Sequence, residues 1–314
     1  MKAIQITKFG GPEVMEYVEL ADPTPKSDEV LLDVTAIGIN YADTHQTENS
    51  YLSPQTLPFV PGLEVTGTVA GKRYLAAVSG GYAQRAIANK QMLFPIPDAV
   101  SDNQALCMLV QGTTAWHILK TVGHLKAGES VLIHAAAGGV GTLAIQLAKL
   151  WGGKVIAVTS SDEKKKIAKE LGADEVIDAD TENLKIEILR ANGGKQVDLV
   201  LEMVGGKTTD ISLEVLAPFG RMIVFGAASR SAAQVVHPTS LMGGSKTITG
   251  FWLAHCFGNK ELLNDVIAEL FALVAAGKLK PIVGSTFALS QAAKAHEAML
   301  ARKTVGKIAL DPAN

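Results

Sequence analysis

Val131-Leu-Ile-His-Ala-Ala-Ala-Gly-Gly-Val-Gly141 is the stretch that decides the fold of this 314-residue chain. A short apolar run, typical of a strand, leads directly into a glycine-rich turn. The next residues, 142–150, predict a helix with Leu143, Leu147 and Leu150 on one face. Strand, glycine turn and helix in this order form a cradle for a pyrophosphate, because backbone N–H groups can approach the anion and the helix N-terminus adds partial positive charge. The stretch therefore predicts a dinucleotide site.

The glycine pattern of this turn departs from the usual G-x-G-x-x-G at its first position. The matching residues are Ala136, Gly138 and Gly141. Ala136 serves the turn if its φ stays negative. Gly138 stands where the backbone meets the pyrophosphate, and Gly141 stands at the close contact between strand and helix.

Strands and helices alternate through the second half of the chain. A helix is predicted at 103–122. Strands are then predicted at 131–134, 155–159, 175–177, 197–202, 221–225 and 247–251, and helices at 140–151, 162–171, 181–191 and 208–216. This order predicts a parallel, doubly wound sheet. An amphipathic helix at 261–276 and a strand at 307–310 follow.

The first hundred residues have a different rhythm, with short strand-like runs separated by Gly, Pro and Asp. Strands are predicted at 4–6, 13–19, 29–39, 64–70 and 82–88. They indicate a compact, mostly antiparallel β domain. The predicted fold class is therefore α/β, with a β domain joined to a doubly wound parallel sheet.

Composition narrows the range of partners. The formal net charge is -2, with no strongly basic stretch, which argues against a nucleic-acid partner. No apolar run reaches the roughly 18 residues of a membrane span. Cys107 and Cys256 are too few for a disulfide framework or a four-thiolate metal site. The N-terminus begins as a strand without an apolar signal segment, so we expect a cytoplasmic protein.

The end of the second strand of the doubly wound half predicts the kind of dinucleotide. A site for NAD requires Asp or Glu there to bind the ribose 2′-hydroxyl. This chain has Thr159-Ser-Ser161 instead, and Lys164 follows where an ammonium can meet a 2′-phosphate. These residues favour NADP. Asp162 and Glu163 leave NAD as the alternative, although acids at a helix N-terminus are also favourable to the helix dipole.

With these residues identified, the chain resembles the zinc-independent quinone oxidoreductases, the ζ-crystallin-like branch of the medium-chain dehydrogenases/reductases. The resemblance extends over nearly the whole length. Its motifs are Gly38-Ile-Asn-Tyr-Ala-Asp43, Pro58-Phe-Val-Pro-Gly-Leu-Glu-Val-Thr-Gly67, Gly112-Thr-Thr-Ala-Trp116, Ala135–Gly141, Lys169-Glu-Leu-Gly-Ala-Asp174 and Gly306-Lys-Ile-Ala-Leu310.

The resemblance implies an architecture. A GroES-like catalytic domain is expected at 1–110, completed by 255–314, and a Rossmann NADP-binding domain at 111–254. The cleft between them would hold the nicotinamide. A homodimer formed by edge-to-edge pairing of Rossmann sheets is the family expectation. Relatives also carry a longer loop where this chain has only Gly71-Lys-Arg73.

The resemblance also implies a set of residues that bind NADPH. Asn40 and Thr114 are expected near the nicotinamide, and Lys307 near the cofactor's far end. The remaining contacts are Ala137, Gly138, Gly139 and Val140 on the pyrophosphate, Ser160 and Lys164 at the 2′-phosphate, and Val204 and Gly226 along the cofactor. Relatives often place a Tyr over the adenosine where this chain has Ala179.

Two positions argue against a catalytic zinc ion. Zinc-dependent relatives carry a Cys where Asn40 stands and a Gly-His-Glu triplet where this chain has Gly62-Leu-Glu64. Without those ligands the usual Cys/His/carboxylate set is missing, so no metal is expected. Reduction of an electrophilic quinone or α,β-unsaturated carbonyl compound needs less help from a Lewis acid than oxidation of an alcohol.

Asn40 is the first candidate donor to a developing oxyanion, although a turn-capping role is the alternative. Tyr41 and Tyr51 are candidate donors or rings that stack on the substrate, and a packing role is at least as well supported. His45, His117 and His134 invite a catalytic interpretation, but His134 lies within a strand and is interpreted as structural. Glu64 lies in a strand that we expect to be buried, and the Cys and His that accompany it in a zinc site are absent.

Two other functions remain open at this point. One is a zinc-free reductase of enoyl thioesters. The other is a non-enzymatic, NADPH-binding, crystallin-like protein, since an intact cofactor site does not distinguish binding from turnover.

Overall fold

We describe a computed structural model that covers residues 1–314. The strands are β1 (Lys2–Ile6), β2 (Met15–Glu19), β3 (Glu29–Ile39), β4 (Glu64–Val69), β5 (Lys72–Ala77), β6 (Arg85–Asn89), β7 (Leu93–Pro95), β8 (Ser130–Ile133), β9 (Lys154–Thr159), β10 (Glu175–Asp178), β11 (Val197–Glu202), β12 (Leu216–Val224), β13 (Thr247–Gly250), β14 (Val283–Ala288) and β15 (Lys307–Asp311). The helices are α1 (Tyr41–Thr47), α2 (Asp102–Leu106), α3 (Thr113–Leu119), α4 (Gly139–Leu150), α5 (Asp162–Glu170), α6 (Leu184–Ala191), α7 (Lys207–Glu214), α8 (Pro238–Met242), α9 (Asp265–Ala275) and α10 (Ala292–Leu300). None of these helices is long and apolar enough to cross a membrane.

The chain forms two compact units, and each is described by itself. Unit 1 comprises Met1–Gln111 and Gly258–Asn314. Its main sheet has the order β14-β15-β3-β4-β5-β7, and β6 also pairs with β3. The pairs are antiparallel except for β14 with β15, which are parallel. Alternate residues of β3 and β15 point into an apolar core that α10 covers with Ala292 and Ala295.

Unit 2 comprises Gly112–Phe257 and contains a parallel six-stranded sheet. The strand order β10-β9-β8-β11-β12-β13 is the doubly wound Rossmann order. The strands at its centre are buried apolar runs, as parallel strands covered on both faces require. The predicted fold class is confirmed. In such sheets ligands bind beyond the carboxyl ends of the strands where the order reverses, which is beside β8.

The segment predicted as a helix at 103–122 is helical over most of its length but is not one regular helix, and it ends at Leu119. The chain forms α2, a π-helical turn at Met108–Gly112 and then α3. The backbone N–H of Val110 donates to the carboxylate of Glu64 at 2.9 Å, so a side chain from β4 takes a donor that a regular helix would use internally. Glu64, which is distant in the sequence, therefore accounts for the interruption, and the residues of the helical segment do not indicate it.

Other differences are smaller. The strand predicted at 13–19 begins only at Met15, because Pro12 opens a 3₁₀ turn there. The strand predicted at 221–225 already begins at Leu216. The short connection between β4 and β5 is a two-residue turn in which Ala70 and Gly71 both have positive φ, the geometry of a tight hairpin. The predicted strands and helices did not include α1, α8, α10, β5, β7 or β14.

Candidate active site

The turn between β8 and α4 has the geometry of a phosphate cradle. Ala136 keeps a negative φ, as the sequence required, while Ala135 takes the left-handed conformation with φ +50°. The Gly138 N–H donates to the Ala135 carbonyl oxygen at 2.8 Å, and the N–H of Thr142 donates to the Gly138 carbonyl oxygen at 2.9 Å. The N–H groups of the first turn of a helix lack intrahelical partners, so the start of α4 offers donors to an anion.

Two glycines of this turn differ in what surrounds them. A Cβ on Gly141 would lie 2.6 Å from the carbonyl oxygens of both Ala135 and Ala136. A Cβ on Gly138 would meet only the Ala135 oxygen, at 3.2 Å. Gly141 is therefore needed for the strand and helix to approach each other, whereas the space beside Gly138 is open toward a ligand. The cofactor contacts of Ala137, Gly138, Gly139 and Val140 stay predictions.

The end of β9 presents hydroxyl groups and a lysine. Thr159 ends the strand, and Ser161 begins α5 by accepting a hydrogen bond from the backbone N–H of Lys164 at 3.3 Å. Ser160 lies between them and is half-buried, as is Lys164. The side chain of Asp162 is fully exposed and pairs with Lys165 at 3.2 Å. The first acid of α5 is thus engaged in a surface ion pair, which weakens the argument for NAD.

Sequence reasoning missed the role of Glu202. This carboxylate ends β11, is fully buried, and accepts hydrogen bonds from the N–H groups of Val204 at 2.8 Å and Gly205 at 3.0 Å. The hydroxyl of Thr209 donates to its second oxygen at 2.9 Å. The carboxylate therefore fixes the turn that carries Val204. Gly226 packs against the backbone of the same turn. In the sequence, the role of Glu202 was indicated only by an acid at the end of a largely apolar strand.

Thr114 lies in α3 and is buried in unit 2. Nearby in the same helix, His117 stacks on Phe251 with ring centroids 5.5 Å apart. His134 is fully packed, and its Nε2 lies 2.9 Å from the hydroxyl of Ser212. Burial lowers the pKa of His134 to about 4, so its ring is neutral and structural near neutral pH.

Unit 1 contains a fully buried ion pair between Lys307 and Glu64. The ammonium also donates to Asn40 Oδ1 at 3.0 Å, and Asn40 Nδ2 donates to Glu64 Oε1 at 2.8 Å. The second oxygen of Glu64 accepts the Val110 N–H. The three side chains form a closed hydrogen-bonded triangle. It fixes the amide of Asn40 with its oxygen toward Lys307 and its nitrogen toward Glu64.

Sheet register brings this triangle together. On β3, Gly38 pairs with Glu64 of β4 on one side and with Ala309 of β15 on the other. A Cβ on Gly38 would lie 2.7 Å from Glu64 Cγ and 2.8 Å from Lys307 Cε. The glycine therefore supplies the space in which the two long side chains meet.

A second buried chain of polar groups adjoins the triangle. Asp43 Oδ2 accepts hydrogen bonds from the Asn40 N–H at 2.8 Å and from the Tyr82 hydroxyl at 2.9 Å. The same hydroxyl lies 2.9 Å from His296 Nε2. Burial raises the pKa of Asp43 to about 6 against the opposing hydrogen bonds, and burial lowers the pKa of His296 to about 4. Asp43 is the third residue of α1, so it caps the helix that Asn40 precedes.

Tyr41 and Tyr51 lie on either side of His45. The ring centroids are 5.7 Å apart for Tyr41 and His45, and 6.3 Å apart for His45 and Tyr51. All three side chains are half-buried. The structure thus brings together two of the predicted catalytic residues, on and just after the helix that begins beside Asn40.

The structure places Lys307 in unit 1, and its predicted contact with the cofactor stays a prediction. That contact was expected at the far end of the cofactor. The side chain of Lys307 is fully buried and its ammonium is bonded to Glu64 and Asn40. Within unit 1 it holds those two groups in place.

Comparison with known proteins identifies the family. The model for the alcohol dehydrogenase GroES-like domain matches residues 26–73, and the model described as zinc-binding dehydrogenase matches residues 139–272. A quinone oxidoreductase of Pseudomonas aeruginosa is 34% identical, over 99% of this chain and 99% of that protein. The chain belongs to the quinone oxidoreductase family.

Solved structures of this family share the whole fold. The quinone oxidoreductase of Escherichia coli, crystallised with NADPH, is 33% identical with a TM-score of 0.92, over 99% of this chain and 100% of that one. The enzyme of Thermus thermophilus, also crystallised with NADPH, is 36% identical with a TM-score of 0.89 over the same shares. Within the medium-chain dehydrogenase/reductase superfamily, the predicted GroES-like and Rossmann domains and the assignment as an oxidoreductase are confirmed.

The name of one matching family model raises the question of zinc. No three His, Cys, Asp or Glu side chains lie close enough together to hold a metal ion. Where zinc-dependent relatives have a Cys, this chain has Asn40, and the carboxylate of Glu64 already binds an ammonium, an amide and a backbone N–H. These donors do not fit a Zn²⁺ site, which takes thiolate, imidazole and carboxylate ligands.

Proposed function

We propose that this protein is an NADPH-dependent reductase of quinones and other α,β-unsaturated carbonyl compounds that works without zinc. The observation that carries the proposal is the end of β9, where Ser160 and Lys164 stand in place of the carboxylate of an NAD site. The cradle at the start of α4 supports a dinucleotide, and the relatives crystallised with NADPH support its phosphorylated form.

In this proposal unit 2 binds the cofactor. Ala137, Gly138, Gly139 and Val140 hold the pyrophosphate through backbone N–H groups, and Ser160 and Lys164 hold the 2′-phosphate. Thr114, Val204 and Gly226 line the remainder of the cofactor. Bound NADPH supplies a hydride, so the protein's own contribution is to orient the reactants and to stabilise the charge that develops on the acceptor.

Unit 1 supplies the polar groups for the acceptor. The amide of Asn40 is held by Lys307 and Glu64, so an N–H directed at a developing oxyanion needs no reorientation during the reaction. Tyr41 and Tyr51 offer ring faces and hydroxyl groups to a planar substrate. Zinc is unnecessary in this arrangement because a quinone is already electrophilic.

The test is stopped-flow oxidation of NADPH and of NADH by the purified protein with a panel of quinones and enones. We expect turnover with NADPH and much weaker turnover with NADH. Lys164→Glu should raise the KM for NADPH by about 10- to 100-fold, which corresponds to one charge-assisted hydrogen bond of about 1.5–3 kcal/mol. Its KM for NADH should not rise.

The matched control is Lys166→Glu, on the same helix, whose side chain is 78% exposed and pairs only distantly with Glu170, at 3.9 Å. It changes the charge of α5 by the same amount and should leave both KM values unchanged. Equal use of NADH, or equal effects of the two substitutions, would overturn the assignment of NADPH. No turnover with any acceptor would overturn the reductase.

The alternative function, reduction of enoyl thioesters, is tested by the same assay with acyl thioesters added to the panel. A non-enzymatic NADPH-binding role has lost support, because the matched relatives are named as oxidoreductases.

We further propose that the protein is a cytoplasmic homodimer. In unit 2, β13 lies at the edge of the sheet and pairs only with β12. Met242 precedes it and is 75% exposed, and Val235 is 89% exposed. An open edge with nearby apolar side chains is a surface on which a second sheet can pair. Light scattering of the purified protein should give twice the chain mass of 33.0 kDa.

A further inference from the structure

The loop after α1 turns back onto His45. The backbone N–H of Ser50 donates to the carbonyl oxygen of His45 at 2.9 Å. The turn is made by Asn49 with φ +54°, a left-handed conformation that Asn tolerates better than most residues. The side chain of Asn49 also accepts the Gln55 N–H at 3.0 Å. The backbone therefore holds Ser50 beside the imidazole.

The hydroxyl of Ser50 connects a carboxylate to this imidazole. Its Oγ lies 3.2 Å from Glu48 Oε2 and 3.0 Å from His45 Nδ1. A hydroxyl has a single hydrogen to donate, and a carboxylate is the stronger acceptor. Ser50 therefore donates to Glu48, and His45 Nδ1–H donates to Ser50. In this arrangement neutral His45 carries its hydrogen on Nδ1, so its acid–base chemistry takes place at Nε2.

Two aromatic rings flank the imidazole of His45. Tyr41 lies one helical turn before His45 on the same face of α1, and Tyr51 stacks at an interplanar angle of 27°. His45 is thus a half-buried imidazole in a fixed orientation on the helix that Asn40 precedes.

Building on the proposed function, we propose that His45 donates the proton that completes reduction of the acceptor, with Ser50 and Glu48 as positioning residues. Conversion of a quinone to a hydroquinone adds two electrons and two hydrogens. The hydride brings both electrons and one hydrogen, and its donor remains as the oxidised cofactor. The second hydrogen passes as a proton from His45 Nε2 to the anionic oxygen, and neutral His45 then takes a proton from water.

Other groups of unit 1 are less suited to this step. Asn40 has no acidic proton to give. His296 is 1% exposed, and burial lowers its pKa to about 4, so it carries no proton to donate near neutral pH. Among side chains in general, a phenol titrates near pH 10, whereas an imidazole titrates near pH 6.5 and matches the operating pH of most enzymes.

The test is chemical rescue. His45→Ala should lower kcat for a quinone by about 100-fold, the lower range of general acid catalysis, with the affinity for NADPH unchanged. Added imidazole should restore kcat in a saturable manner, because it supplies the missing acid in the space that the side chain leaves. His45→Gln, which fills that space, should lose activity without rescue. Ser50→Ala and Glu48→Gln should lower kcat by a smaller factor with little change in KM.

His237→Ala is the matched control, because His237 is exposed in unit 2 and lies outside the proposed site. It should retain full activity and show no response to imidazole. The proposal is overturned if His45→Ala and His45→Gln bind NADPH and keep the wild-type kcat, or if imidazole leaves the His45→Ala rate unchanged. Failure of the wild-type protein to reduce any quinone would instead overturn the proposed function.

Discussion

Removing one partner of the Lys307–Glu64 pair should destabilise unit 1 strongly. Lys307→Met leaves the Glu64 carboxylate fully buried with the Asn40 amide and the Val110 N–H as its remaining partners. Breaking a buried pair from one side costs about 3–5 kcal/mol. Because two hydrogen bonds to the carboxylate persist, we expect the lower value, about 3 kcal/mol. Glu64→Gln should cost about as much, since a glutamine oxygen cannot serve the donors on both sides.

The double variant separates the charge interaction from other effects. With both charges removed, only one or two buried polar groups lose a partner, which costs about 2 kcal/mol. Independent effects would instead sum to roughly 6 kcal/mol. We therefore expect Lys307→Met/Glu64→Gln to be more stable than either single variant.

The assay is urea unfolding at pH 7.5, followed by two signals. Far-UV circular dichroism follows both units. Tryptophan fluorescence follows unit 2 alone, because all three tryptophans lie there, at positions 116, 151 and 252. Single variants that cost less than about 1 kcal/mol, or a double variant that costs the sum of the two, would refute the reasoning.

Three further predictions concern unit 2. Gly141→Ala should prevent stable folding, because its Cβ would lie 2.6 Å from two carbonyl oxygens. Gly138→Ala should fold but lose affinity for NADPH. Thermal unfolding and cofactor titration distinguish these two results. His134 has a folded pKa of about 4 against an ordinary 6.5, so the stability it contributes is complete above pH 6.5 and is lost as the pH falls toward 4. The wild type should therefore lose about 2 kcal/mol more than His134→Gln between pH 7.5 and pH 5, measured by urea unfolding with tryptophan fluorescence. Ala135→Gly should stabilise the protein by about 1 kcal/mol in the same assay, because a glycine adopts φ +50° without the strain of a Cβ; a loss of stability would contradict this.

Local patterns predicted the Rossmann half well. Apolar runs such as 131–133 and 197–202 lie in buried parallel strands, and the glycine turn between β8 and α4 has a short-range steric cause that is visible in the sequence. The resemblance added the family and the GroES-like unit. These features depend on residues close together in the chain.

The polar clusters of unit 1 could not be predicted in the same way. Tyr82 meets Asp43 across 39 positions and His296 across 214, and nothing near any of them specifies the partner. A partial signal did exist. Glu64 is the one charge on β4, and Lys307 precedes three apolar residues of β15. A charge in such a run requires a partner when it is buried. The pattern indicates that each has a partner but not which residue it is.

The Lys307–Glu64 pair cannot form until synthesis of the chain is nearly complete. Glu64 leaves the ribosome 243 residues before its cation, and the whole of unit 2 is made in between. Domains tend to fold as units while the chain is being made, so the nascent GroES-like unit must wait with an uncompensated carboxylate and an unfilled place for β15 beside β3. A ribosome that stalls within unit 2 would therefore release a chain whose first unit cannot close, exposing the edge of β3 to chaperones and proteases.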